Sequence, residues 1–168
     1  RPRFVQFAGS GASGVRAEAV SNAYLAETDQ LTGDQIAALA ATGAVVSIGH
    51  SDATSDAVRA ALDEGASCFT HLFNAMSPLL NRAPGVTGAA INSAAYAGII
   101  CDGHHVADEV VAMAIRARPV PDRMFLVSDA MPTVGGPDHF DLYGEPIRLV
   151  GGRLVNDDGS LAGAHVTM

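Results

Sequence analysis

Four short apolar runs, each followed closely by a polar or ionisable residue, dominate the middle of the sequence. They cover residues 44–48, 66–70, 97–101 and 124–127, and the segments between them are long enough to hold a helix or an extended loop. Short apolar runs that alternate with helical segments are typical of βα units, in which consecutive strands are parallel. The sequence therefore predicts an α/β protein built on a parallel sheet.

The polar groups that follow these runs are expected to meet at one edge of the sheet. His50 and His71 follow the first two runs, and His105 and Asp129 follow the third and fourth. Loops leaving the carboxyl ends of parallel strands open on one side, where α/β proteins keep their sites. Neutral imidazoles are suitable ligands for a divalent metal, so the paired histidines predict a metal site there.

Helix signals separate the predicted strands. Thr32 is the expected N-cap of a helix over residues 33–41 that ends near Gly43. Residues 51–64 and 106–118 carry apolar side chains at helical spacing, which predicts two further helices.

Chain length limits how much of a larger fold can be present. A complete (β/α)8 barrel usually needs about 250 residues, and this chain of 168 residues holds four or five βα units. We therefore expect residues 31–168 to form the later part of a TIM-type barrel, with a hairpin near residues 146–156. Residues 74–88 are predicted to form a functional loop. Residues 1–30 show no clear periodicity and stay unassigned.

Charge and composition argue against several classes of partner. The formal net charge is −8 and the isoelectric point is near 5.0, which argues against nucleic acid and anionic membranes. No apolar run approaches the roughly 18 residues of a membrane span. Cys68 and Cys101 both fall within predicted buried strands, which favours reduced thiols in a cytoplasmic protein.

Five motifs carry a more specific signal. They are GHSDAT at 49–54, THLFNAM at 70–76, RAPGVTGAA at 82–90, DGHHV at 102–106 and LVSDAM at 126–131. In this order and spacing they resemble the N-acetylglucosamine-6-phosphate deacetylases of the amidohydrolase superfamily. The resemblance implies a (β/α)8 barrel with a divalent metal at its carboxyl end. It also implies hydrolysis of the acetamide to glucosamine 6-phosphate and acetate, in amino-sugar catabolism.

The resemblance assigns chemical roles to four residues. His50 and His71 match the family's two metal-binding histidines, and Asp129 matches its catalytic aspartate. His105 matches the histidine that contacts the substrate near its acetamide. The expected metal is zinc, with iron or another divalent ion as alternatives. The family's metal site also uses a glutamate in a Glu-Gly-Pro sequence, and no such sequence occurs in this chain.

The resemblance also implies how the substrate is held. Asn74 and Ala75 match a pair that binds the sugar phosphate. Arg82 matches a phosphate-contacting arginine that reaches in from a neighbouring subunit, which implies a homodimer. The loop that lines the substrate is matched by Leu161, Ala162 and Gly163.

Two other functions fit part of the same pattern. A different amidohydrolase, such as a cyclic-amide hydrolase or a deaminase, would share the strand-end histidines and Asp129. It would not be expected to share Asn74 and Ala75 or the loop that carries Arg82. A non-catalytic sugar-phosphate-binding barrel would keep the phosphate loop and would not need Asp129.

Some of these residues also have a purely structural interpretation. Asp102 precedes Gly103 and is predicted to be a turn residue. Asn74 is a credible turn or cap residue, and Arg82 on a loop rich in proline and glycine could be a solvated surface charge. No role is assigned to His104, His139 or His165.

Overall fold

The computed structural model describes residues 4–7, 17–18, 24–25, 32–142 and 144–167. The chain divides into two compact units. The first consists of Arg1–Ile99 and Met113–Phe125, and the second of Ile100–Ala112 and Leu126–Met168. Within the described residues, no helix is long and apolar enough to cross a membrane.

A five-stranded sheet is the framework of the first unit. Strand β1 (Phe4–Phe7) is followed along the chain by a short antiparallel pair, β2 (Ala17–Glu18) and β3 (Tyr24–Leu25). The remaining strands of the sheet are β4 (Val45–Ile48), β5 (Cys68–Phe69), β6 (Tyr96–Ile99) and β7 (Met124–Leu126). Their order is β1-β4-β5-β6-β7, and the pairs β1 with β4, β4 with β5 and β5 with β6 are parallel. An α/β protein with a parallel sheet is therefore confirmed.

Helices follow the strands as the βα pattern requires. They are α1 (Gly33–Ala41), α2 (Ser55–Asp63), α3 (Gly85–Ile91) and α4 (Asp108–Ala117). Thr32 caps α1 in a capping box, because its hydroxyl accepts from the Gln35 N–H at 3.3 Å while the Gln35 side chain accepts from the Thr32 N–H at 2.8 Å. Thr54 caps α2, so that helix begins at Ser55, four residues later than predicted.

Two expectations from the sequence are wrong in detail. Residues 74–88 do not form a loop throughout, because α3 begins at Gly85. All residues of α3 are buried, so no polar face marks the helix in the sequence. Cys101 is exposed rather than buried, because β6 ends at Ile99 and leaves the cysteine beyond the strand. Both Cys68 and Cys101 are free thiols.

Apolar side chains from strands and helices form the core of the first unit. Val46 and Ile48 on β4 and Phe69 on β5 are almost completely buried, as is Leu72 just beyond β5. Ile36 of α1, Val58 of α2 and most of α3 belong to the same cluster. Because β4 is covered on both faces, it shows a continuous apolar run instead of alternation.

An antiparallel sheet lies in the second unit. Its strands are β8 (His139–Leu142), β9 (Glu145–Val150) and β10 (Arg153–Val155), in the order β10-β9-β8. Val150 pairs with Arg153 across a two-residue turn formed by Gly151 and Gly152. Both turn residues have positive φ, +58° and +81°, which glycine adopts at little cost and which suits a tight hairpin.

Arg118, a buried cation directly after α4, binds the backbone of α3 and of the segment between α3 and β6. Its guanidinium donates to the Ala90 carbonyl at 2.6 Å and to the Ala95 carbonyl, and only 3% of the residue is exposed. Burial lowers the pKa of Arg118, and its Nε finds no hydrogen-bond partner in the described part of the chain. The two carbonyl contacts therefore offset the cost of burying the charge.

Arg118→Met should lower the free energy of unfolding by about 1–3 kcal/mol, because it leaves the two carbonyls without this donor. Arg116→Met, on an exposed position of the same helix, is the matched control and should change stability by less than about 0.5 kcal/mol. Urea unfolding of the full-length protein measures both. Equal stability for the two variants would show that Arg118 does not hold these segments together.

Candidate functional site

Two histidines meet where β4 and β5 end. Ile48 lies opposite Phe69 in the parallel register, and each strand is followed two residues later by a histidine. The Nε2 atoms of His50 and His71 are 2.9 Å apart, and the rings meet edge to face with centroids 4.8 Å apart. The two imidazoles therefore share one small volume at the carboxyl edge of the sheet.

Several of the predicted site residues have a left-handed backbone conformation, with positive φ. A positive φ is uncommon for residues other than glycine and tends to persist where the surrounding structure enforces it, often at functional sites. Among the described residues, those with this conformation are His50, His71, Phe73, Ala75 and Asp129. Four of them carry a role predicted from the sequence, and Phe73 lies between two of these.

The surroundings of His50 favour its neutral imidazole. Burial, and next the charge of His71, lower the pKa of His50 to about 4. The His50 ring is therefore neutral at pH 7, and the neutral imidazole is the form that binds metals. His71 is 6% exposed, and its Nδ1 is buried without a hydrogen-bond partner among the residues described.

The histidine pair lies close to the spacing of two ligands of one metal ion. Two nitrogens bound tetrahedrally to one Zn²⁺ at about 2.0–2.1 Å lie about 3.3–3.4 Å apart. The observed Nε2 separation of 2.9 Å is a hydrogen-bond distance, a few tenths of an ångström shorter. In the part of the chain that the structure describes, no group of three or more His, Cys, Asp and Glu side chains could hold a metal ion. The pair would supply two of the three or four protein ligands that zinc sites use.

The loop after β5 is fixed against the loop after β4. Ser51 donates its N–H to the Ala75 carbonyl at 2.9 Å, and its own carbonyl accepts from Ser77 N–H at 2.9 Å. The Asn74 N–H donates to the His71 carbonyl at 3.0 Å. The turn that contains Asn74 and Ala75 is thereby tied to His71 and to Ser51, the residue after His50.

Ser77 extends this network to the segment that carries Arg82. Its hydroxyl donates to the Ala53 carbonyl at 2.8 Å and accepts from the Val86 N–H at 2.7 Å. A Cβ on Gly85 would lie 2.7 Å from the Ser77 carbonyl oxygen, and Gly85 has φ +61°, so only glycine fits there. The network fixes the backbone around Arg82, while the arginine itself is exposed.

In the second unit, the backbone around Asp129 is hydrogen-bonded to Ala164. The Asp129 carbonyl accepts from Ala164 N–H at 2.9 Å, and Met131 N–H donates to the Ala164 carbonyl at 3.1 Å. This ladder holds the backbone of Asp129 next to the loop formed by Leu161, Ala162 and Gly163. His165 follows directly, and its Nδ1 lies 3.0 Å from the hydroxyl of buried Thr133.

Asp102 and His105 form a buried pair in the same unit. One carboxylate oxygen of Asp102 accepts from the backbone N–H groups of His104 and His105, at 2.9 and 2.8 Å, which is the predicted turn. The other oxygen lies 2.7 Å from Nδ1 of the His105 ring. Sequence reasoning missed this second contact, although the spacing of three residues between an Asp and a His could have indicated it. The adjacent His104 is exposed.

The fold and the paired imidazoles define an α/β protein whose candidate site lies at the carboxyl ends of parallel strands. No protein-family model matches the chain. An N-acetylgalactosamine-6-phosphate deacetylase of Shewanella sp. (strain ANA-3) is 41% identical over 142 residues, which are 83% of this chain and 36% of the relative. An N-acetylglucosamine-6-phosphate deacetylase of Haemophilus influenzae is 38% identical over 130 residues, 75% of this chain and 34% of the relative.

A solved structure agrees with these relatives. The crystal structure of N-acetylglucosamine-6-phosphate deacetylase from Pasteurella multocida matches with a TM-score of 0.77 and 37% identity, over 83% of this chain and 37% of that chain. The chain is thus a relative of the N-acetylglucosamine-6-phosphate deacetylases, as its motifs predicted. It spans about a third of the length of the curated relatives it matches.

Replacing His50 or His71 with Ala in the full-length protein should weaken metal binding by more than about 100-fold, because each change removes a ligand. His139→Ala is the matched control, since that histidine is exposed and lies beside Asp138. Metal content after dialysis measures the effect. Either variant that keeps stoichiometric metal would show that its histidine is not a ligand.

Proposed function

We propose that the protein containing this chain is a metal-dependent deacetylase of N-acetylglucosamine 6-phosphate, releasing glucosamine 6-phosphate and acetate. The observation that carries the proposal is the 2.9 Å approach of His50 and His71 at the ends of β4 and β5. These histidines lie in the motifs GHSDAT and THLFNAM, whose resemblance to the deacetylases agrees with the comparisons.

In this proposal His50 and His71 hold a divalent ion, with zinc as the best match to neutral imidazole ligands. When bound, such an ion supplies Lewis-acid activation of the amide carbonyl and of water. A carboxylate from outside the described residues completes the ligand set. The left-handed backbone at both histidines supports the assignment, because it directs each side chain away from the course of its strand.

Asp129 and His105 carry the proton transfer and charge stabilisation in the proposed reaction. The Asp129 carboxylate accepts a proton from the attacking water and returns it to the departing amine nitrogen. His105 hydrogen-bonds the carbonyl oxygen as negative charge develops there. An amide leaves poorly as an anion, so the proton returned by Asp129 is what permits the C–N bond to break.

The sugar phosphate is held by the loops after β5 and in the second unit. Arg82 offers a planar fork of N–H donors that matches phosphate oxygens, and its exposure leaves it accessible to a neighbouring subunit. Asn74 and Ala75 contact the sugar phosphate from the rigid turn, and Leu161, Ala162 and Gly163 line the sugar. We propose a cytoplasmic homodimer in which each Arg82 serves the partner's site.

N-acetylgalactosamine 6-phosphate is the second candidate substrate. The relative that is 41% identical to this chain bears that name. The two sugars differ only in the configuration of one ring hydroxyl, so the acetamide and the phosphate would engage the same residues. Acetate release from each 6-phosphate, measured with the metal-loaded full-length protein, decides between them.

Asp129→Asn should lower turnover of the preferred substrate by about 10²-fold or more, because an amide cannot accept the proton of water. Metal content and substrate affinity should stay close to those of the wild type. The comparison uses acetate release for kcat and calorimetry for binding. Normal turnover in the variant would rule out general-base catalysis by Asp129.

Arg82→Ala should lower kcat/KM for the 6-phosphate by about 10- to 100-fold, which corresponds to about 1.5–3 kcal/mol for a lost charge-assisted contact. The unphosphorylated sugar has no anion for the arginine, so its slow turnover should barely change. Equal losses for both sugars would show that Arg82 supports its loop and does not bind phosphate.

Mixing the two impaired variants tests whether Arg82 acts across subunits. In a dimer of one Arg82→Ala chain and one Asp129→Asn chain, one site would combine an intact arginine with an intact aspartate. Activity should therefore rise above that of either variant after subunit exchange. Activity that stays at the level of the separate variants would place Arg82 in its own subunit's site.

A further inference from the structure

The buried pair of Asp102 and His105 makes one contact more than a turn requires, between the carboxylate and the imidazole. The carboxylate accepts two backbone N–H groups with one oxygen and meets the ring Nδ1 at 2.7 Å with the other. Only 5% of the His105 side chain and 8% of the Asp102 side chain are exposed. Burying a carboxylate and an imidazole costs desolvation free energy, which these contacts offset.

The exposed pair of Asp138 and His139 shows the contrast within the same unit. Its Nδ1–Oδ1 distance of 2.9 Å is similar, but 72% of the histidine side chain and 81% of the aspartate side chain are exposed. Ion pairs exposed to water contribute little to stability. The described residues therefore offer two Asp–His pairs that differ in burial and in the two backbone N–H groups that only the Asp102 carboxylate accepts.

The contacts of Asp102 decide which nitrogen of His105 carries the proton. Burial opposes the charged form, but the backbone N–H groups of His105 and His104 and the His105 ring outweigh it and lower the pKa of Asp102. The carboxylate is therefore ionised at neutral pH and can only accept hydrogen bonds. Nδ1 of His105 must donate, so Nε2 is the nitrogen available to a substrate.

We infer that Asp102 is a positioning residue, which fixes the His105 ring and its Nδ1 proton so that Nε2 contacts the acetamide. The inference rests on the proposed function, in which His105 hydrogen-bonds the carbonyl oxygen. A ring that keeps the Nδ1–H bond and also donates from Nε2 is an imidazolium. The Asp102 carboxylate balances that charge, and a charged donor bonds a developing oxyanion more strongly than a neutral one.

Nitrogen NMR of the histidines in the full-length, metal-loaded protein tests the inference without an activity assay. The His105 signal is identified by its loss in His105→Gln. In the wild type, Nδ1 should carry a proton while Asp102 is ionised. In Asp102→Asn the amide can donate to Nδ1, so the neutral ring should carry its proton on Nε2. A wild-type ring that is neutral with its proton on Nε2 would overturn the inference.

A double-mutant cycle tests whether Asp102 acts through His105. Asp102→Asn keeps an oxygen for the two backbone N–H groups, so the turn should survive. It should lower kcat by about 10²-fold and change KM by less than about threefold. Because His105→Gln removes the group being positioned, adding Asp102→Asn to it should cause no further loss. Multiplicative losses would show that Asp102 supports the fold independently of His105.

Asp138→Asn is the matched control and should leave kcat and KM at wild-type values. If the wild-type protein deacetylates neither hexosamine 6-phosphate, the proposed function fails, and the NMR tautomer of His105 still decides whether Asp102 positions it. Active wild-type enzyme with an unchanged kcat in Asp102→Asn would overturn the inference while leaving the proposed function intact.

Discussion

The parallel register between β4 and β5 is the constraint on which the histidine pair depends. Ile48 lies opposite Phe69, and a histidine follows each at the same offset, so the two Nε2 atoms meet at 2.9 Å. A slip of one residue would turn each side chain of a strand to the other face of the sheet. The register is held because Ile48 and Phe69 are almost completely buried, which links core packing directly to the geometry of the site.

Strain at the strand ends accompanies this arrangement. His50, His71 and Asp129 each adopt positive φ, which costs of order 1–3 kcal/mol per residue for side chains other than glycine. Backbone hydrogen bonds nearby offset this cost. The Ser51 N–H donates to the Ala75 carbonyl next to the histidines, and the Ala164 N–H donates to the Asp129 carbonyl. Backbone hydrogen bonds in the loops thus offset the strained φ angles at the strand ends.

The sequence predicted those helices and strands that are marked by a local signal, such as a cap residue or a run of apolar residues. Thr32 caps α1 as expected, and the first apolar run became strand β4, whose residues are buried on both faces. The pattern failed for α3, which begins after Pro84 at Gly85 and has no polar face. Strand β1 stayed unassigned because it is only four residues long, and its pairing with β4, about forty residues away, is not visible in the sequence. The contact of Asp102 with the His105 ring was missed because the Asp-Gly sequence already explained a turn.

The histidines of this chain differ in their surroundings. His50 faces another imidazole, and burial together with that neighbour lowers its pKa, so its neutral form is favoured, which suits a metal ligand. His105 faces a carboxylate whose side chain is 8% exposed, at 2.7 Å from Nδ1, and under our inference this contact holds a proton on Nδ1. His139 also contacts an aspartate, but both of those side chains are exposed to water, where an ion pair contributes little. The same residue type is thus placed beside an imidazole, a buried carboxylate and an exposed carboxylate, and we propose a different use for each of the first two settings.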